Sequence, residues 1–335
     1  MSKQTVFWLL KLCLGLGLLS WLVVEADYHA VLRQLRSVDL AWLAAVFVVP
    51  HIGLLLSTIK WQALLTCLGS HVGIAPLFKF YLIGTFFNNF LPSMVGGDIV
   101  RIYLLQRLAL TTERAIASTF IERFIGFGGM MTLLPLVWLY PSVTEAAPSL
   151  NYVVIGAITV YFGLFVLLFS SPTIFPNSAP KRALVKQVID TLRKSQQQVR
   201  GYRNQVGVLL WAYTISVAFY LLAGLTVWLA TRAVGASVSF AFVVSVTPLV
   251  LLAAAVPISV NGLGVLESGI TLLLISVSVP LPEAVLVTIL LRVRIFFTAA
   301  IGGIFFLLER APPAASEHPL ADGVIVVEAK SNAQL

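Results

Sequence analysis

Long apolar runs separated by short polar punctuation dominate the chain. A bilayer core of about 30 Å needs about 20 apolar residues in helical form. Six stretches reach that length: Val6–Val24, Leu40–Ile59, Ala115–Tyr140, Leu150–Ser170, Val206–Ala230 and Glu283–Leu308. Two others, Leu77–Leu108 and Val238–Val279, depart from the pattern, each with an apolar arm, a Pro/Gly-rich break and a second arm. The breaks fall at Pro92–Gly97 and Pro257–Gly264. The second arms are short for a 30 Å core, so both pieces read as re-entrant helical hairpins; taking the breaks as ordinary loops makes eight full spans instead. The predicted fold class is an all-α polytopic membrane protein.

Each half then reads span, span, hairpin, span, with half-repeats at about 1–140 and 150–310. Three full spans per half invert the second half relative to the first. Residues 1–310 form the predicted transmembrane domain, and 311–335, rich in Pro, Ala and Ser without helical periodicity, read as a disordered cytoplasmic tail. The first apolar run follows Lys3 as in a signal peptide but is too long for a typical h-region, so it reads as a span.

Composition agrees with the pattern. Hydrophobic residues make up 59% and charged residues 11% of the 335, against about 25% charged in soluble domains. The two cysteines, Cys13 and Cys67, have no CxxC spacing and no His cluster nearby, and read as packing residues. No metal-ligand set and no cofactor motif is present; Asn261-Gly-Leu-Gly resembles a dinucleotide loop, but no strand precedes it. The net charge of +8 does not imply nucleic acid, because the cations follow membrane topology rather than forming a stripe.

Lys and Arg in short loops set the orientation. Lys181, Arg182, Lys186, Arg193, Lys194, Arg200 and Arg203 face a single acid, Asp190, which places that segment in the cytoplasm. Its apolar residues recur at helical spacing, as in a helix lying on the headgroup surface; a solvated basic linker is the other reading. Counting from this anchor puts Lys60, Lys79, Arg101, Arg107 and Arg114 inside, with Arg33 and Arg36 as exceptions. Both termini then lie in the cytoplasm, and the expected location is the inner (plasma) membrane.

Candidate chemistry gathers at the breaks. Pro92, Gly96 and Gly97 form one predicted tip and Pro257, Gly262 and Gly264 the other, each followed by an acid, Asp98 or Glu267. Gly/Pro-interrupted segments at matching places of two halves point to a midplane binding site, since non-helical backbone is tolerated there only around a cavity or within protein. Asn88, Asn89 and Asn261 carry amides that need partners in apolar surroundings. Asp98 can cap the following helix, and Arg101 can pair with it. Glu122, Arg123, Arg292 and Arg294 are charges within spans, which face a partner or a water-filled cavity. Mutual pairing is one reading and substrate binding the other; Arg292 and Arg294, two residues apart, point to nearly opposite helix faces.

The stretches "FFNNFLPSMVGGDIVRIYLL", "IERFIG" and "PISVNGLGVLESG" resemble the signatures of the lysylphosphatidylglycerol synthase transmembrane-region family, over about residues 5–310. The resemblance implies a membrane module that moves a phospholipid or other polar lipid between leaflets. It carries the family motifs onto Asn88, Asn89, Pro92, Gly97, Asp98, Arg101, Glu122, Arg123, Pro257, Gly262, Gly264 and Glu267. The best-known member joins the module to an aminoacyl-transferase domain; the stretch after Leu308 is too short for one, so lysyl transfer is not expected here.

The expected function is that of a flippase-like lipid translocator whose partners are membrane lipids, anionic headgroups among them. The alternative is a small-solute or ion-coupled secondary transporter, which more often shows acidic or His relays in several spans. An enzyme is least supported, because no nucleophile, base and orienting group fall together.

Overall fold

A lipid core offers a backbone amide no water, so an apolar run must close its hydrogen bonds within its own helix. The computed structural model describes residues 13, 15–18, 20–90, 96–170, 183–256 and 259–309, and they are overwhelmingly helical. Pro92, Pro257 and the predicted tail at 311–335 lie outside the described residues.

In chain order the helices are α1 (Gly15–Glu25), α2 (Tyr28–Leu35), α3 (Leu40–Cys67), α4 (Ile74–Phe90), α5 (Gly96–Gln106) and α6 (Thr112–Leu133). A tighter 3₁₀ stretch, Leu134–Leu139, extends α6. Then come α7 (Pro141–Thr144), α8 (Ser149–Ser170), α9 (Ala183–Gly201), α10 (Val206–Val234), α11 (Phe240–Ala255), α12 (Val265–Ile275) and α13 (Leu281–Leu308). Five of these, α3, α6 with its extension, α8, α10 and α13, are long and apolar enough to cross a membrane. They coincide with five of the six predicted spans. The predicted Val6–Val24 span is represented by α1, while 1–12 lie outside the described residues. The two broken pieces are α4/α5 and α11/α12, every arm shorter than a span.

Helices α3–α6 and α10–α13 share one register. α3 and α4 start at 40 and 74, α10 and α11 at 206 and 240, an offset of 166 in both cases. α5 and α6 start at 96 and 112, α12 and α13 at 265 and 281, an offset of 169 in both cases. The turns obey the same offsets: positive φ recurs at Gly69 and Gly235, and at Ala109 and Ser278. Packing follows suit, since α3 against α4, α4 against α5 and α5 against α6 recur as α10 against α11, α11 against α12 and α12 against α13.

Helices α3 and α10 pack along much of their lengths and run antiparallel. Asp39 N–H, at the start of α3, donates to the carbonyl of Ala233 near the end of α10 (2.9 Å). At the other end the Tyr202 hydroxyl, just before α10, donates to the carbonyl of Leu64 (2.8 Å). Helices α4 and α13 are also antiparallel, with Lys79 ion-paired to Glu309 and Gly302 pressed on the Leu82 carbonyl so closely that a Cβ there would overlap it. Close backbone approach through small residues is the usual means of joining helices in lipid.

Helix α9 is docked rather than a solvated linker: it packs on α6, burying Ser195, Gln196 and Val199, and Lys194 stands 3.8 Å from Glu113 at the start of α6. The side chains of Leu184, Val185 and Val188, predicted for its apolar face, lie outside the described residues.

Candidate functional site

The first break is held shut by a side chain from the preceding arm. Gly97 N–H, an orphan donor of the first turn of α5, donates to Asn88 Oδ1 at 2.8 Å. Gly97 also lies against the Gly84 carbonyl, where any Cβ would collide, so glycine permits α5 to fold back on α4.

Beyond that turn Asp98 begins an ion network. Its carboxylate pairs with Arg101 (3.3 Å) and with Arg123 on α6. Glu122 Oε2 takes Arg101 at 3.3 Å, and Oε1 takes Lys60 Nζ at 2.8 Å. Lys60 also donates to Ser216 Oγ on α10 (3.1 Å). The Arg101 guanidinium sits in the corner formed by the perpendicular Trp61 and Tyr81 rings, 3.9 and 3.8 Å from their centroids, a strong cation–π setting where water is excluded. Five helices, α3, α4, α5, α6 and α10, are tied by this knot.

Asp98 therefore works as an ion-pair partner of two arginines. Lys60, which marks a cytoplasmic boundary by sequence, is instead 3% exposed and part of the network, because α3 continues past the predicted end at Ile59 to Cys67. Sequence reasoning assigned it no site role. The available signal was a lysine one residue beyond an uninterrupted apolar run.

At the second break the chain turns through left-handed residues, Asn261 (φ 48°), Gly262 (φ 67°) and Gly264 (φ 80°). Glu267 Oε2 accepts the Gly264 N–H at 2.7 Å, which caps α12, and its other oxygen pairs with Arg292. Arg292 also donates to the carbonyls of Gly262 (3.3 Å) and Asn261 (3.5 Å). Glu267 and Arg292 thus staple the turn and are consumed by it.

The two staples occupy equivalent places. Asp98 and Glu267 are each the third residue of their helix, and Arg123 and Arg292 each the twelfth of theirs. Each arginine follows its acid by 25 positions.

The second break also meets the end of α4. Asn261 Nδ2 donates to Asn89 Oδ1 at 2.7 Å, while Asn89 Nδ2 donates to the Thr85 carbonyl at 2.9 Å. This bridge forms part of the wall of a cavity of about 310 Å³ between α3, α4 and α10–α13. Its walls are mostly apolar, with Asn88, Asn89, Asn261, Arg294 and four threonines, Thr85, Thr226, Thr247 and Thr298, as polar groups. A second cavity of about 190 Å³ holds Lys60, Tyr81, Arg101, Glu122 and Arg123. Leu54 and Phe219 belong to both and separate them.

The repeat offsets map the small cavity onto the large one. Lys60, Tyr81, Arg101 and Glu122 correspond to Thr226, Thr247, Ile270 and Leu291, all of which line the large cavity. Three of these positions are charged in one half and uncharged in the other: Lys60 against Thr226, Arg101 against Ile270 and Glu122 against Leu291. The large cavity has hydroxyl and apolar side chains where its smaller counterpart is lined by the knot.

The predicted site residues are thus divided among three places. Asn88, Asn89, Asn261 and Arg294 line the large cavity; Arg101, Glu122 and Arg123 line the small one, with Asp98 bound to two of them; Glu267 and Arg292 close on one another. Gly96 and Gly97 open α5, and Gly262 and Gly264 shape the second turn. Arg292 and Arg294 do point apart.

Comparison with known proteins adds a lineage. The chain is 26% identical over 253 residues to a UPF0104 membrane protein of Methanothermobacter thermautotrophicus, covering 70% of this chain and 75% of that one. It is 20% identical over 323 residues to a UPF0104 membrane protein of Methanocaldococcus jannaschii, covering 92% and 95%. A UPF0104 membrane protein of Pyrococcus horikoshii is 21% identical over 340 residues, covering 92% and 98%. The family model of the lysylphosphatidylglycerol synthase TM region matches residues 8–303. Its paired breaks, its ion-stapled turns and this match together make the chain a member of the lysylphosphatidylglycerol synthase TM region family.

Proposed function

We propose that the chain translocates a polar lipid between leaflets, with the 310 Å³ cavity as the headgroup site. The observation that carries the reading is the Asn89–Asn261 bridge: two Pro/Gly-interrupted segments meet in the wall of one cavity inside a bundle of apolar helices. Mostly apolar walls with a few polar groups suit an amphipathic ligand better than a fully hydrated solute, which favours this reading over a small-solute transporter.

In the proposed cycle the antiparallel halves act as an inverted repeat. Alternate opening of the cavity to the two sides carries the headgroup across. The breaks are read as re-entrant, entering from opposite sides, with both termini in the cytoplasm of a plasma-membrane protein. No bond-making step belongs to this reading.

Reconstitution tests it. Liposomes containing the protein and a trace of short-chain fluorescent phospholipid should lose outer-leaflet fluorescence to dithionite and then continue toward full loss, as inner-leaflet lipid is exchanged outward. Arrest at the level of protein-free liposomes for every phospholipid and polyprenyl-linked lipid would sink the proposal.

A further inference from the structure

Arg294 stands apart from the other intramembrane cations. Lys60, Arg101, Arg123 and Arg292 each face a carboxylate. Arg294 has no carboxylate and no side-chain hydrogen bond among the described residues, and its Nε is buried without a partner. It lines the large cavity, in whose wall no Asp or Glu stands among the described residues.

Scaffolding does not account for it. The repeat offset of 169 places Ile125 at the counterpart position on α6, so Arg294 is an addition to the duplicated frame. Glu267, the acid of that turn, is occupied by Arg292 and the Gly264 N–H. A cation left unbalanced in an apolar bundle needs a counter-charge, and an open cavity leaves room for one that arrives with the ligand.

We infer that Arg294 is the anion contact of the headgroup site, and that the ligand is a phosphodiester headgroup with a net negative charge and no amine. This inference rests on the proposed lipid-translocating function. The guanidinium offers its planar fork to two phosphodiester oxygens. The side chains of Asn88, Asn89, Asn261, Thr85 and Thr298 around it suit the hydroxyls of a polyol headgroup. An amine in the same cavity meets a cation and finds no carboxylate, which selects against amine-bearing and aminoacylated lipids. A volume of 310 Å³ is at the lower end of small-ligand pockets, enough for a headgroup whose acyl chains stay in the bilayer.

The test uses the full chain in two formats. In liposomes, fluorescent phosphatidylglycerol should exchange about ten-fold or more faster than phosphatidylcholine or phosphatidylethanolamine, the range of a charge-assisted bidentate contact. Arg294→Gln should bring the ratio close to one, and Arg294→Lys should keep part of it. Wild-type exchange without preference for phosphatidylglycerol, or preference intact in Arg294→Gln, overturns the inference while leaving the translocator standing.

In detergent, dihexanoyl phosphatidylglycerol should raise the melting temperature of the wild type and not of Arg294→Gln, with the unliganded melting temperatures alike. This readout holds even if no lipid is moved, so failure of transport and failure of the anion site are separable. No shift with the wild type overturns the site. An equal shift at equal concentration with glycerol 1-phosphate or inorganic phosphate assigns the pocket to a soluble anion, and overturns the lipid source.

Discussion

Asn89 and Asn261, 172 residues apart in the chain, are hydrogen-bonded at 2.7 Å where the second helix break meets the end of α4. Each amide is part-buried, and Asn89 is oriented by its second bond to the Thr85 carbonyl. Contacting residues that share one bond are not additive in their effects. Asn89→Ala and Asn261→Ala should each lower stability by about 1 kcal/mol, and the double variant by about as much as either single one. A double-mutant cycle on unfolding in detergent measures the coupling; full additivity would mean that the bridge is absent from the folded protein.

The Glu267–Arg292 staple is fully enclosed, with side chains 0% and 5% exposed. Removing one charge strands the other in a low-dielectric interior, at a cost of about 3–5 kcal/mol. Glu267→Gln and Arg292→Gln should therefore each lower the melting temperature sharply. The pair of changes together should recover much of the loss, but not all, because Arg292 also holds the carbonyls of Asn261 and Gly262. Differential scanning fluorimetry of the three variants checks this; a double variant worse than both singles contradicts the staple.

Lys60→Met leaves Glu122 with Arg101 alone and Ser216 without its donor. The expected outcome is a loss of about 3–5 kcal/mol, of which Lys60→Met with Glu122→Gln restores part. Restoration is partial because Arg101 then loses Glu122. Were Lys60 a boundary cation in headgroup water, Lys60→Met would change stability by less than about 0.5 kcal/mol.

Asp98 is a test of which arginine it serves. Asp98→Asn with Arg123→Gln removes both sides of one ion pair and leaves Glu122 its two cations. Asp98→Asn with Arg101→Gln removes a guanidinium that Glu122 needs and its cation–π contacts with Trp61 and Tyr81. Thermal unfolding should rank the first double variant above the second. The reverse order would mean that Asp98 and Arg101 form an independent pair.

Ala109 and Ser278 occupy equivalent exposed turns with positive φ, at φ 60° and 65°. In the inverted arrangement they lie on opposite sides of the membrane. Single cysteines there, in a background without Cys13 and Cys67, should react with an impermeant maleimide from opposite sides: Ala109→Cys only after the cytoplasmic face is opened, Ser278→Cys in intact cells. Labelling of both from one side contradicts inversion.

What the sequence by itself determined is helix, its approximate place, and where it stops. Apolar runs such as Val206–Ala230 have one way of satisfying their amides in lipid, and a Gly/Pro cluster cannot continue a helix, so α10 and both breaks are legible without coordinates. The acids after the breaks were legible too. The common offsets of 166 and 169 were not, because they depend on helix starts that shift by a few residues with packing and capping.

Partnership was decided only in three dimensions. That Arg292 and Arg294 point apart follows from a 100° step per residue, but which one meets Glu267 and which one meets the cavity depends on the rotation of α13 about its axis. That rotation is set where Gly302 presses on the Leu82 carbonyl and Gly303 on Phe86, contacts with a helix some 200 residues earlier in the chain. Lys60 shows the same limit, since an apolar run ends at Ile59 while α3 runs to Cys67 and carries the lysine inward to Glu122. Local composition fixes whether a residue is helical; the neighbour that neutralises its charge is chosen by packing between helices, which no local pattern encodes.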